Sequence, residues 1–137
     1  MQNLKRFFRY HLPPFIWAFL IMIASSIPAD KLPNVQIFGW DKIAHVCVFF
    51  IFGILILRSL YHRNKTINSK KQIAMLTVVF VVSFGIFDEL FQSIIPGRTS
   101  DIYDLVADAV GGILAVSFFN FINRYARNKN GRTVSNL

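Results

Sequence analysis

The chain has a single cysteine, Cys47, among its 137 residues. One thiol cannot form an intrachain disulfide, and it cannot supply the paired cysteines of a cysteine-based metal site. Charged residues are also scarce, at 16% of the chain, whereas soluble domains have about a quarter. Hydrophobic residues make up 54%, and 15 residues are phenylalanine. This composition is typical of a membrane protein rather than of a soluble domain.

Four apolar runs occupy residues 14–27, 43–60, 73–95 and 102–122. A membrane-spanning helix needs about 20 mainly apolar residues, so the first run also requires residues 10–13. We predict an all-α, polytopic membrane protein with a four-transmembrane-helix bundle. The membrane domain is residues 1–127, and residues 128–137 form a disordered polar tail. The segment Ala24-Ser25-Ser26 is also compatible with signal-peptide cleavage, but a retained first span fits the continuing loop better.

The net charge of +8 is explained by membrane topology rather than by nucleic-acid binding. Twelve of the 15 basic residues lie before span one, between spans two and three, or after span four. The other side holds Lys31, Lys42 and Arg98. Because lysine and arginine are enriched on the cytoplasmic side of membrane proteins, we predict that both termini are cytoplasmic. We expect contacts with membrane lipid and no nucleic-acid partner.

Cysteine labelling tests this topology. Single cysteines at positions 34 and 68, in a Cys47→Ser background, should differ in their access to a membrane-impermeant reagent. We expect labelling of Asn34→Cys from outside the cell and protection of Asn68→Cys. The reverse pattern would contradict the predicted orientation of all four spans.

Acidic residues are few, and six of the seven lie in or beside the apolar runs. Asp30 lies out in a connecting loop. A carboxylate in a hydrocarbon layer is costly unless it is paired or hydrated, so such groups are functional candidates by default. The six are Asp41, Asp88, Glu89, Asp101, Asp104 and Asp108.

Helical spacing places polar groups from three spans in one layer. Asp41 and His45 are four residues apart on span two, and Asp104 and Asp108 are four apart on span four, so each pair shares a face. Glu89 and Asp108 each lie about 9 Å below the outer end of their span, given a rise of about 1.5 Å per residue. The sequence therefore predicts a polar layer in the outer half of the membrane.

The short turn Pro96-Gly97-Arg98 makes spans three and four antiparallel neighbours, so residues equally far from the turn should meet. Carboxylates at such close range cannot all stay ionised without a cation or shared protons. Arg98 is the expected cation, which predicts that Arg98→Ala harms function more than Lys42→Ala. Substitutions of Glu89 and Asp108 should couple rather than add. The predicted cluster is Glu89, Arg98, Asp104 and Asp108.

Each candidate also has a purely structural interpretation. Asp41 could be a helix cap beside Lys42, His45 a packing histidine, and Arg98 a headgroup anchor. Asp88 ranks below Glu89 because it could point toward a neighbouring helix or lipid. His45 with two or three carboxylates could bind a divalent cation, although no spacing in the chain is a recognised metal signature. The small residues Ala107, Gly111 and Ala115 of span four indicate close helix packing.

Four motifs follow one another along the chain in a fixed order. They are Ser25-Ser26-Ile27-Pro28, Asp41-Lys42-x-x-His45, Glu89-x-x-Gln92-x-x-x-Pro96-Gly97-Arg98 and Asp101-x-x-Asp104-x-x-x-Asp108-x-x-Gly111. Together they resemble the VanZ-like family of small bacterial membrane proteins over most of the chain. One position departs from the family pattern, because the family usually has asparagine where Asp108 stands.

The resemblance implies a four-helix protein of the bacterial cytoplasmic (inner) membrane. It links the chain to a family with a member associated with teicoplanin resistance, without supplying a reaction. We therefore expect an outward-facing polar pocket that binds or modifies a cell-envelope component, such as a lipid-linked or cell-wall ligand. Candidate acids, bases or cation ligands are Glu89, Asp104, Asp108 and His45. Candidate ligand-binding residues are Asp41, Gln92, Arg98 and Asp101, with Arg98 holding a phosphate or carboxylate.

Two other classes of function remain open from the sequence. The polar residues could form a buried network that only specifies the helix bundle or a partner contact. An ion-coupled transporter is the third class, but four helices without an internal repeat would require a dimer. The sequence leaves open whether the protein is an enzyme, which cofactor it uses and what oligomer it forms.

Overall fold

The computed structural model describes residues 2–31, 39–62 and 69–134, with side chains as far as Tyr125. The described residues are helical and contain no strand. Helix α1 (Gln2–Arg6), a π-helical turn (Phe7–His11) and α2 (Leu12–Ser25) form one continuous rod, followed by α3 (Trp40–His62), α4 (Lys70–Gln92) and α5 (Ile102–Val134). Four helical segments are long and apolar enough to cross a membrane, which confirms the predicted all-α architecture. The labelling positions Asn34 and Asn68 lie outside the described residues.

Two helix bounds differ from the sequence-based ones. The first spanning segment is Leu4–Ser25, so it begins before residue 10 and reaches a full membrane thickness. Its π-helical turn ends at His11, two residues before Pro13 and Pro14, whose missing N–H groups interrupt the regular backbone hydrogen bonds. Helix α5 continues past Arg127 to Val134, because no proline interrupts the polar segment that follows the membrane span.

Helix α3 lies at the centre of the bundle and contacts the other three spans. Helix α5 packs on α3 and α4, and α2 packs on α3 and α4 from the other side. Since successive spans alternate in direction, α3 and α5 run parallel and their first turns lie at the same end. This arrangement places residues 41–45 beside residues 101–108.

Small residues allow α3 and α5 to approach closely. Gly53 faces Ala115, and a Cβ added at Gly53 would lie 2.8 Å from the Ala115 Cβ. A Cβ added at Gly111 would lie 2.6 Å from the Val46 carbonyl oxygen. The small-residue ridge of span four is therefore a packing surface, and this close approach positions the polar groups at the ends of the two helices.

A paired exchange tests this packing. Gly53→Ala should lower the free energy of unfolding by about 1–3 kcal/mol, because the added methyl meets the Ala115 methyl. Combining it with Ala115→Gly moves one methyl from α5 to α3 and should restore most of the stability. Denaturant unfolding of the two single variants and the double variant measures the recovery. Additive losses in the double variant would contradict the contact.

Helix α2 packs less closely than the other spans. The Trp17 indole Nε1–H donates a 3.0 Å hydrogen bond to the Val48 carbonyl oxygen and ties α2 to α3. Ile21 packs with Phe49 and Phe52 in the core between these helices. A mainly apolar cavity of about 620 Å³ lies between the N-terminal rod, α3 and α4. Because α2 packs loosely, the close contacts of the bundle are those among α3, α4 and α5, and the polar residues described below lie chiefly on these three helices.

Candidate functional site

Lys42 joins the first turn of α3 to the beginning of α5. Its Nζ lies 2.6 Å from Asp101 Oδ2, 2.5 Å from Asp104 Oδ1 and 3.0 Å from Asp41 Oδ2. The Lys42 side chain is 30% exposed, whereas that of Asp104 is 12% exposed. Lys42 is therefore the cation that pairs with these three carboxylates. It reaches those of α5 because the parallel packing of α3 and α5 brings their first turns together.

Arg98 does not take the position expected for it. One of its guanidinium nitrogens donates to Gln92 Oε1 at 2.5 Å, and among the described residues it makes no ion pair with a carboxylate. The turn that carries Arg98 directs the side chain back along α4 and away from α5. The prediction that Arg98 neutralises the carboxylates is wrong, because Lys42 forms the ion pairs with Asp101 and Asp104.

Asp101 makes three hydrogen bonds at the start of α5. Its Oδ1 accepts the Tyr103 N–H at 2.9 Å and caps the helix. Its own backbone N–H donates to Glu89 Oε2 at 2.8 Å, which fixes one carboxylate oxygen of α4. Its Oδ2 accepts from Lys42, and this hydrogen bond lowers the pKa of Asp101 below its usual value. Asp101 is therefore the N-cap residue of α5.

His45 points into the bundle toward α5, whereas Asp41, which helical spacing places on the same face, does not. Its Nδ1 lies 2.9 Å from Asp108 Oδ1, and its Nε2 lies 3.9 Å from Asp104 Oδ2. With Asp108 ionised, its carboxylate can only accept hydrogen bonds, and His45 then donates its Nδ1–H to Asp108. Asp41 is instead exposed and contacts Lys42, so it stands at the edge of the site.

A second polar group extends from α4 toward α2. The Gln92 side-chain Nε2 donates to Asp88 Oδ2 at 2.8 Å and to Ser25 Oγ at 3.3 Å, while its Oε1 accepts from Arg98. Asp88 is buried, at 1% exposure, although the sequence-based interpretation ranks it below Glu89. Its four-residue spacing from Gln92 was the signal that could have identified it.

Three buried carboxylate oxygens in the described part of the chain have no hydrogen-bond partner. They are Asp88 Oδ1, Glu89 Oε1 and Asp108 Oδ2. Glu89 is 6% exposed and Asp108 is fully buried. Gly85 provides the space for Asp108, because a Cβ at that position would lie 2.8 Å from Asp108 Oδ2.

The outer cluster, as we call it, combines residues from three helices around His45. His45, Glu89 and Asp104 can each offer one atom to a metal ion, and these three atoms all lie within 4.8 Å of one another. Carboxylates outnumber the described cations here, so the group can accept a cation or share protons. Its members are Lys42, His45, Glu89, Asp101, Asp104 and Asp108.

Comparison with known proteins gives one family. The family model described as VanZ/LLP1 matches residues 2–123. The chain belongs to the VanZ-like family. No match was found among curated proteins or among solved structures. Together with the four apolar helices, membership of the VanZ-like family makes this a multi-pass membrane protein.

Asp108 is the fully buried carboxylate of the cluster. Asp108→Asn should leave the midpoint of thermal unfolding unchanged or raise it. An asparagine oxygen can still accept the His45 Nδ1–H, and the substitution removes a buried charge whose second oxygen has no partner. Asp108→Ala should lower the midpoint, because His45 then loses its acceptor. Thermal unfolding in detergent measures both variants, and a large loss in Asp108→Asn would contradict this assignment.

Proposed function

We propose that the outer cluster is an outward-facing site that binds or modifies a cell-envelope component at the bacterial cytoplasmic membrane. The cluster lies at the end of the bundle opposite the basic residues of α1, the end of α3 and the beginning of α4. Because basic residues favour the cytoplasmic side, the cluster faces the outside in the predicted topology. Lipid-linked and cell-wall components are available at that face.

The observation that carries this proposal is the pair of unpartnered oxygens, Glu89 Oε1 and Asp108 Oδ2. A polar network that only specifies a helix bundle is expected to satisfy its own donors and acceptors, since a buried group without a partner is destabilising. Free acceptor atoms on buried carboxylates instead suit a ligand that donates hydrogen bonds or carries positive charge. This favours binding over the purely structural alternative.

Two cations, Lys42 in the cluster and Arg98 outside it, can bind an anionic part of a ligand. Lys42 is partly exposed beside Asp101 and Asp104. Arg98 uses one guanidinium nitrogen on Gln92, and a guanidinium has five N–H donors, so others can bind a phosphate or carboxylate. A ligand with both an anionic group and hydroxyl or ammonium donors therefore fits the cluster best. Glu89 could exchange a proton with such a ligand if the site also catalyses a reaction.

Site-specific photocrosslinking in growing bacteria tests the proposal. A benzoylphenylalanine at Tyr103, which is exposed beside the cluster, should capture a polar lipid-linked or cell-wall component that mass spectrometry can identify. The same group at Phe121, which is exposed far along α5, serves as the matched control and should capture bulk phospholipid. The adduct at position 103 should disappear in Glu89→Gln. Identical phospholipid adducts at both positions would contradict an envelope-component site.

Teicoplanin susceptibility provides a cellular measurement. We expect expression of the wild-type chain to raise the minimum inhibitory concentration several-fold and Glu89→Gln to abolish that increase, because the ligand loses a charged partner. Asp30→Asn is the control, since Asp30 is exposed in the turn after α2. Both variants must accumulate in the membrane to comparable levels. An unchanged inhibitory concentration with the wild-type chain would separate this protein from glycopeptide resistance.

A further inference from the structure

Three side chains of the outer cluster are each fixed by one atom and leave another atom free. His45 Nδ1 is hydrogen-bonded to Asp108, and Glu89 Oε2 accepts the Asp101 N–H. Asp104 Oδ1 accepts from Lys42. The atoms left over are His45 Nε2, Glu89 Oε1 and Asp104 Oδ2, which come from three different helices.

The three side chains have the composition of an ion-binding set. His45 Nε2 lies 3.9 Å from Asp104 Oδ2, and Glu89 Oε1 is buried with no partner among the described residues. Each of the three residues offers a ligand atom within 4.8 Å of the other two. An ion that bonds its ligands at about 2.0–2.6 Å places neighbouring ligand atoms roughly 3–4 Å apart. The 3.9 Å separation of His45 Nε2 and Asp104 Oδ2 already fits, and small side-chain rotations would bring the Glu89 carboxylate into the same range.

The surrounding contacts are those that a metal-binding histidine requires. Metal-binding histidines commonly donate the other ring N–H to a carboxylate, which fixes the tautomer and the ring orientation. Asp108 supplies that carboxylate for His45 at 2.9 Å. Lys42 similarly holds Asp104 by the oxygen that faces away from His45. The geometry thus presents one nitrogen and two carboxylate ligands in fixed orientations.

We propose that His45, Glu89 and Asp104 form a binding site for a divalent cation of the Zn²⁺ or Mn²⁺ type. Imidazole suits Zn²⁺, and carboxylates suit Mn²⁺, so a mixed set accepts either ion better than a site made of oxygen alone. The ion would offset the charges of Glu89 and Asp104 in an apolar layer. This inference rests on the proposed function, since both use the outer cluster.

Three protein ligands leave at least one coordination position for an oxygen of the envelope component. A bound divalent cation supplies a Lewis acid that attracts phosphate or carboxylate oxygen. Two further side chains would orient the ligands: Asp108 orients His45, and Lys42 orients Asp104. Asp108 is accordingly a positioning residue for this site, and Asp108→Asn should retain ion binding.

Ion titration of the full chain tests the site directly. The protein is purified in detergent without a histidine tag, stripped with EDTA and titrated calorimetrically with Zn²⁺, Mn²⁺ or Mg²⁺. We expect one Zn²⁺ or Mn²⁺ per chain and weaker binding of Mg²⁺. Glu89→Gln and Asp104→Asn should each reduce the affinity at least tenfold, while the exposed-loop control Asp30→Asn should bind as the wild type does.

Thermal unfolding in the same samples provides a second measurement. Because an ion that binds the folded state raises its stability, Zn²⁺ or Mn²⁺ should raise the unfolding midpoint of the wild type and of Asp30→Asn. It should not raise that of Glu89→Gln. Equal binding in Glu89→Gln would place the ion elsewhere, for example near His11 and His62 at the opposite end, and would overturn the proposal. Absence of saturable binding to the wild type would also overturn it.

The two proposals fail in distinguishable ways. A crosslinked envelope component at position 103 together with no ion binding would reject the cation site and retain the proposed function. One bound ion that depends on Glu89, together with no envelope adduct, would reject the proposed function and retain the cation site. Crosslinking in the presence of EDTA connects them, because loss of the adduct on ion removal is the result expected if both are correct.

Discussion

Gly111→Ala is expected to lower the free energy of unfolding by about 3 kcal/mol, at the upper end of the usual cost of overpacking. The added Cβ would lie 2.6 Å from the Val46 carbonyl oxygen, 2.9 Å from the Phe50 nitrogen and 3.2 Å from the Phe49 carbonyl carbon. All three are backbone atoms of α3, so no side chain can rotate to relieve the contact. The two helices would have to separate, which would also move His45 away from Asp108. Denaturant unfolding in detergent measures the loss.

Gly112→Ala is the matched control for this prediction. Its added Cβ would meet the Val81 side chain at 2.8 Å rather than backbone, so Gly112→Ala combined with Val81→Ala should recover part of the stability. Truncation of Val46 should not rescue Gly111→Ala, because the contact is with the main chain. Wild-type stability of Gly111→Ala, or its rescue by Val46→Ala, would contradict the close approach of α3 and α5.

Lys42→Met is expected to lower the free energy of unfolding by about 1 kcal/mol and to abolish function. The substitution keeps the length of the side chain but leaves Asp101 and Asp104 without their cation. The loss comes from Asp104, which is 9% exposed and would keep a charge without a partner, whereas the exposure of Lys42 and Asp101 limits it. The structure therefore predicts that Lys42 matters more than Arg98, the reverse of the order expected from the sequence. Unfolding of Lys42→Met and Arg98→Met measures this order.

Two control variants sharpen the Lys42 measurement. Lys42→Arg keeps the charge and should retain most of the stability, although its planar group fits the two carboxylates differently. Lys31→Met removes an exposed lysine from the same side of the bundle and should change stability little. If Arg98→Met lowers the free energy of unfolding more than Lys42→Met does, Arg98 rather than Lys42 is the cation that stabilises the carboxylates.

The fold could be predicted from the sequence because its signals are local. The lengths of the apolar runs predict four spanning helices, and the structure has them. The approach of Glu89 to the first turns of α5 follows from the short turn at Pro96-Gly97, which makes α4 and α5 antiparallel neighbours.

The partners within the polar layer could not be predicted from the same signals. They depend on the order of the helices around the bundle and on the rotation of each helix about its own axis. The close packing of α3 and α5 brings Lys42 to Asp101 and Asp104, whereas Arg98 turns back to Gln92. Asp88 is buried in the bundle rather than facing lipid for the same reason. Helical spacing gives the depth of a residue, but packing decides its neighbours.

The thermal stability of Glu89→Gln in EDTA tests the central claim most directly, namely that the outer cluster is a binding site and not a structural network. A glutamine can still accept the Asp101 N–H, and the substitution removes a buried charge whose other oxygen has no partner. Binding sites commonly retain such destabilising groups for function. We predict an unfolding midpoint equal to or above that of the wild type, together with loss of the crosslinked envelope component. A midpoint several degrees lower would show that the Glu89 charge stabilises the bundle and would contradict the claim.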